Sequence, residues 1–178
     1  SGYTTEALQN LFCWHMHGYR HKNHETEGKK QEFGPSRSRD DICSELLKGS
    51  RRLESIMGIS FFRFFTPPWN RCSYDTMACL KQAEFKGISR SFGGRPEVPE
   101  GFKDYPVMID LHTRKEASAE EGWEKLLKEF STRLAMSPCG IMLHHMRMNN
   151  AAFVFLECLL EIFSKRKEIT VVTYRDLI

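Results

Sequence analysis

The sequence has no apolar run approaching the ~20 residues that a membrane-spanning helix needs, and no charged-then-apolar signal segment opens it. A helical membrane span is thereby excluded, and a cytoplasmic location is the expectation. No Cys-x-x-Cys pair occurs among the six cysteines, Cys13, Cys43, Cys72, Cys79, Cys139 and Cys158, which mostly lie in apolar segments. They read as buried thiols in a reducing compartment rather than as a disulfide framework. Blocks of one charge sign are also missing. Lys and Arg number 26 against 23 Asp and Glu, and the basic residues are interspersed with acids, as from Lys125 to Arg133 and from Lys165 to Glu168. That scatter excludes a basic stripe for nucleic acid. Repeats and low-complexity tracts are absent.

What is present suits one globular domain, since 178 residues at 40% hydrophobic and 28% charged can bury a sizeable core. Thr4 or Thr5 can cap a short helix through Leu11, after which Phe12 to Met16 reads as a strand. Lys22 to Arg39 is a long polar loop with Gly28, Gly34 and Pro35, of a length that is usually functional or disordered. Asp40 or Asp41 caps an amphipathic helix bearing Ile42, Leu46, Leu53, Ile56 and Met57, which Gly58 ends. Phe61 to Phe65 is an aromatic strand that runs into Thr66-Pro67-Pro68-Trp69-Asn70, where two prolines stop any ladder or helix. A helix from Ser73 to about Glu84 follows, then a strand from Gly87 to Ser91, a loop with Gly93, Gly94, Pro96 and Pro99, and a strand from Val107 to Leu111. Ser118 with Glu121 forms a capping box for a helix to Leu134. Cys139 to Leu143 is a strand, Asn150 caps an apolar helix to about Lys165, and Ile169 to Val172 is the last strand.

Strands alternating with helices in this way imply parallel βαβ units, in an open doubly wound sheet or a barrel. The barrel gains support from the unusual residues, which follow strand ends. His17 and His21 follow the first strand, Pro67 to Asn70 the second and Ser91 the third; Asp110 and His112 close the fourth, and His144 and His145 the fifth. In barrels that rim carries the active site.

Four of the seven histidines fall between Phe12 and Glu25, and His17 and His21 stand four apart around a glycine. Two imidazoles on a short polar turn can bite one divalent ion, although a surface loop with accidental histidines has the same composition.

His17-Gly18-Tyr19-Arg20-His21 resembles the His-x-x-x-His metal motif of the polysaccharide deacetylases, carbohydrate esterase family 4. Phe65-Thr66-Pro67-Pro68-Trp69-Asn70 is similar to their Arg-Pro-Pro-Tyr-Gly segment, and Ile141-Met142-Leu143-His144-His145 resembles their Leu-x-Leu-His-Asp strand. A bacterial deacetylase-like branch is closer still, with its Lys-Lys-x-Glu-Phe-Gly stretch (here Lys29 to Gly34) and Pro-Pro-Trp-Asn-Arg loop (here Pro67 to Arg71).

The resemblance implies a distorted or partial (β/α) barrel and a metal-dependent hydrolase that removes acyl groups, chiefly N-acetyl, from an acetylated carbohydrate. His17 and His21 would ligate a divalent metal, zinc foremost. The metal makes hydroxide available near neutral pH. The backbone N–H of Trp69 would hold the tetrahedral oxyanion, and His144 would be the general acid, with His145 as the alternative because neighbouring strand residues face opposite ways. Trp69, Asn70 and Asp110 are the candidate substrate contacts, with a hydrogen bond or salt link as the plainer reading of Asp110 and His112. His15 reads as a satisfied core histidine, and Lys29, Lys30 and Glu32 as a solvated charged loop.

Departures from the family pattern bear on catalysis. The family's first strand ends in an Asp-Asp motif that supplies base and third ligand, yet no aspartate precedes His17. The family's first strand is therefore read as missing. Thr66 stands where the family has arginine, and His145 where it has aspartate. A catalytically silent domain that binds a glycan or a partner is the rival expectation.

Overall fold

The computed structural model describes residues 12–112 and 116–178, so the expected helix from Thr4 or Thr5 to Leu11 lies outside the described residues. They are mixed α/β, with short parallel strands and four helices. The chain divides into two compact units, the first running to Pro106 and including Thr173–Ile178, the second comprising Val107–Val172.

In the first unit, β1 (Trp14–Met16), β2 (Phe61–Phe65), β3 (Gly87–Ile88) and β4 (Lys103–Asp104) form one parallel sheet in sequence order. The β4 ladder falls in the stretch read from sequence as loop, since two residues leave no periodicity to detect. β2 is buried because aromatic side chains on both faces are covered, Phe65 by the helices and Phe64 by the C-terminal segment. Tyr174 stacks on Phe64 at 4.0 Å between ring centroids. Arg175 donates to the carbonyls of Ile59 and Ser60 at 3.0 and 2.8 Å and lies over the Phe62 ring. The hydroxyl of Tyr105 donates to the Leu177 carbonyl.

Helix α1 (Arg39–Met57) begins two or three residues earlier than expected. Ser38, rather than Asp40 or Asp41, is the cap: its hydroxyl accepts from the Asp41 N–H, while the two aspartates complement the positive end of the helix. Gly49 lets α1 approach the sheet, since a Cβ there would stand 2.3 Å from the Met16 side chain. Ser73 caps α2 (Tyr74–Gln82). Met16, Phe33, Ile42, Leu46, Phe65, Met77, Leu80 and Ile88 make one core with no exposed surface.

Cys43 of α1 and Cys79 of α2 are joined by a disulfide, with Cα atoms 5.1 Å apart. This corrects the reading of all six cysteines as reduced thiols. The two helices pack face to face, and a separation of 36 residues carries no sequence signature of pairing.

In the second unit, β5 (Val107–Asp110) pairs in parallel with β6 (Gly140–Met142). Helix α3 (Ala119–Arg133) has the expected capping box. Ser118 accepts from the Glu121 N–H, and the Glu121 carboxylate accepts from the Ala117 N–H. Asn149 caps α4 (Asn150–Ser164), one residue before the expected position. Met108, Ile109, Leu126, Phe130, Leu159 and Phe163 form the core of this unit.

The expected strand from Ile169 to Val172 does not form. Ile169 closes a turn onto the Arg166 carbonyl and packs on the core, while Val171 and Val172 are exposed. A β-branched run becomes a strand only where a ladder partner receives it.

Phe33 is wholly buried, and its carbonyl accepts from both the Ser73 N–H and the Thr76 hydroxyl. Phe33→Ala is expected to cost about 3–5 kcal/mol, read as a lower urea midpoint at unchanged slope.

Candidate functional site

The turn that follows β1 is built around Glu32. This side chain has no exposed surface. Its carboxylate accepts the Tyr19 N–H, at 3.1 and 3.2 Å to the two oxygens, and the Arg20 N–H, so two turn amides that no ladder could satisfy are paired with a charge. Gly18 permits this approach: its φ is 72°, and a Cβ there would stand 2.2 Å from a Glu32 oxygen. The loop that brings Glu32 back is folded on its own polar groups. Asn23 accepts from the Glu25 and Gln31 N–H groups, and the Glu25 carboxylate accepts from Ser36. The reading of Glu32 as part of a solvated loop is therefore corrected, while Lys29 and Lys30 are exposed as expected.

His17 and His21 leave this turn side by side, with ring centroids 5.3 Å apart. Two imidazoles sharing a tetrahedral ion through nitrogens at 2.0–2.1 Å stand roughly 5 Å apart by the same measure. The Nδ1–H of His17 donates to the Thr66 carbonyl at 3.0 Å, which places the lone pair of the neutral ring on Nε2. Metal-bound histidines are commonly fixed in this way. The donor set thus suits a divalent ion such as zinc. Among the described residues, no group of three or more His, Cys, Asp or Glu is placed to share an ion.

Thr66 also binds the core histidine. His15 donates from Nδ1 to the Cys13 carbonyl at 3.0 Å and accepts the Thr66 hydroxyl at Nε2, 2.8 Å away, while its ring meets Phe64 and Tyr174 edge-on. Burial pushes its pKa below the ordinary 6.5, against the opposing pull of the Cys13 carbonyl. His15 is thus the satisfied histidine expected, and Thr66 ties two histidines to the end of β2.

The Pro-Pro-Trp-Asn loop follows β2. Trp69 and Asn70 both have positive φ, 56° and 59°, a costly region for residues with a Cβ. The Trp69 ring lies 4.5 Å from that of His21. Among the described residues, no acceptor takes the Trp69 backbone N–H. The first unit therefore brings together His17, His21 and Trp69, with Asn70 next in the loop.

Asp110 and His144 belong to the second unit, at the end of β5 and just past β6. His144 Nε2 lies 3.9 Å from an Asp110 oxygen, an ion-pair distance too long for a hydrogen bond. The same oxygen accepts the His112 N–H at 2.9 Å. His145 is exposed and begins a 3-10 turn, so His144 is the histidine that faces the carboxylate. Asp110, expected to contact substrate, is engaged with His144 and the His112 amide.

Sequence reasoning missed Arg90. Only 1% exposed, it follows β3 and pairs with Asp104 of β4 through Nε at 2.8 Å. Burial raises the Asp104 pKa despite the arginine. Nearby, burial pushes the Cys72 thiol up to about 12. An arginine beside a glycine-rich loop carries no sequence sign of burial.

No known protein family, curated protein or solved structure matches this chain.

Removing the Glu32 carboxylate leaves two turn amides without their acceptor. Glu32→Ala is expected to cost about 2–4 kcal/mol, with the smaller loss in Glu32→Gln, by chemical denaturation; the His17 and His21 ring signals should broaden by NMR. Because the folded state holds His15 neutral, its contribution is complete above the unfolded pKa near 6.5 and is lost as pH falls toward the depressed folded value. Stability should therefore drop more steeply between pH 7 and 5 in the native chain than in His15→Gln, as followed by urea midpoints.

Proposed function

We propose that the chain is a metal-dependent hydrolase that removes acyl groups, chiefly N-acetyl, from a carbohydrate, on a distorted (β/α) barrel of the polysaccharide deacetylase type. The observation that carries this reading is the His17–His21 pair, at a spacing that suits one shared ion and with the His17 ring locked on the Thr66 carbonyl. His17 and His21 would hold the ion, which when bound lowers the pKa of a water and polarises the acyl carbonyl. Trp69 serves twice. Its backbone N–H is a donor for oxyanion charge, and its indole walls the sugar site beside His21. His144, at ion-pair distance from Asp110 within the second unit, is the general acid that the family resemblance implies. Asn70 contributes a hydrogen-bonding group to the sugar.

A silent binding module is the second reading, suggested by Thr66 and His145 at positions where the resemblance calls for arginine and aspartate. Glu32 does not supply a third ligand, since its oxygens are occupied by the turn amides. As to location, no helix among the described residues is long and apolar enough to cross a membrane.

Elemental analysis of the purified protein should find close to one equivalent of zinc or another divalent ion, lost in His17→Ala/His21→Ala, and acetate release from an N-acetylated glucosamine oligomer should fall with it. A protein that takes up no metal when zinc is supplied would end the hydrolase reading.

A further inference from the structure

We propose that the second unit carries a carbohydrate-binding cavity of its own, with Trp123 as the wall on which a sugar ring stacks and His112 as the group that hydrogen-bonds its hydroxyls. The cavity measures about 520 Å³, within the range of small-molecule sites. It opens between β5 and the first turns of α3 and α4, and all of its lining belongs to the second unit.

Three features favour a neutral polyhydroxylated ring over other occupants. The first is the aromatic wall. Trp123 is 48% exposed although it faces the cavity, and Phe155 holds it edge-to-face with ring centroids 5.1 Å apart. A rigid, half-open indole presents a flat apolar surface, matched by the C–H face of a pyranose. A fully apolar ligand would instead call for an enclosed chamber.

The second is an unsatisfied polar atom. The Nδ1 of His112 is sealed from solvent and has no hydrogen-bond partner among the described residues. A buried ring nitrogen left in this state is costly, and a ligand hydroxyl that reaches it removes the cost. The backbone at this position is pinned, because the His112 main-chain N–H donates to Asp110 at 2.9 Å.

The third is charge. Among the described residues of the lining, Glu116 is the charged side chain, and it pairs with Lys125 at 3.1 Å. The two helix N-termini are closed by their own caps, Ser118 and Asn149, so their positive ends are not offered to an anion. The described lining thus offers an anion neither an unpaired cation nor an open helix end, which suits a neutral ligand. The assignment deepens the function proposed above and rests on it for the choice of a carbohydrate.

The test is calorimetric titration of the full chain with N-acetylglucosamine trisaccharide. The native protein, Trp123→Ala, Trp123→Phe, His112→Phe and His17→Ala/His21→Ala would be compared, with circular dichroism confirming that each is folded. Trp123→Ala and His112→Phe should each weaken binding about tenfold or more, and Trp123→Phe should restore most of it. Retained binding in the His17/His21 double variant, even one without metal or acetate release, would support the cavity while the hydrolase reading failed. Binding that survives Trp123→Ala and His112→Phe but vanishes in the double variant would overturn it, as would no binding of the trisaccharide by any folded form.

Discussion

The fully buried carboxylate of Glu32 governs the first unit. Burying a carboxylate is costly unless its oxygens are paired, and here the backbone amides of Tyr19 and Arg20 supply the pairing. The consequence runs both ways along the chain. Upstream, the turn from His17 to His21 has one conformation, with Gly18 as the residue that makes room for it. Downstream, the neighbouring Phe33 is fixed in the core, and its carbonyl anchors the start of α2. Two exposed imidazoles are thus carried by a turn whose backbone a buried side chain holds.

Much of the architecture was legible because hydrophobic period and caps are local. The aromatic run from Phe61 to Phe65, the box at Ser118 and Glu121, and the stop at Gly58 each announce themselves within a few residues. What failed depends on distant partners. Ile169 to Val172 has a strand's composition but no ladder to join. Cys43 and Cys79 meet only because two helices pack together. Glu32 looks like one more charge in a polar loop until the turn above it is seen, and Arg90 is buried by a loop whose glycines say nothing of what lies beneath.

The candidate residues were found by their position after strands, and each unit keeps that placement. His17 and His21 follow β1 and Trp69 follows β2, while Asp110 ends β5 and His144 follows β6. Parallel strands leave their carboxyl ends open to loops, so polar side chains can gather there without disturbing the core. Thr66 shows how such a site is tuned. Its hydroxyl serves a half-buried histidine and its carbonyl an exposed one, so one residue sets the hydrogen-bonding roles of both rings.

The docking of Thr173–Ile178 onto the first unit makes that unit discontinuous, with the whole of Val107–Val172 inserted in it. The contact between Arg175 and Ile59 spans 116 residues of chain. Closing so long a loop early in folding carries a large entropic penalty for a few contacts, and topologies rich in such pairings fold slowly. If the inserted segment collapses first around Ile109 and Phe130, the effective loop shortens and the strap has less chain to tether. The sheet itself is free of that constraint, because β1 to β4 all precede the insert; only the Thr173–Ile178 strap must wait for the long loop to close.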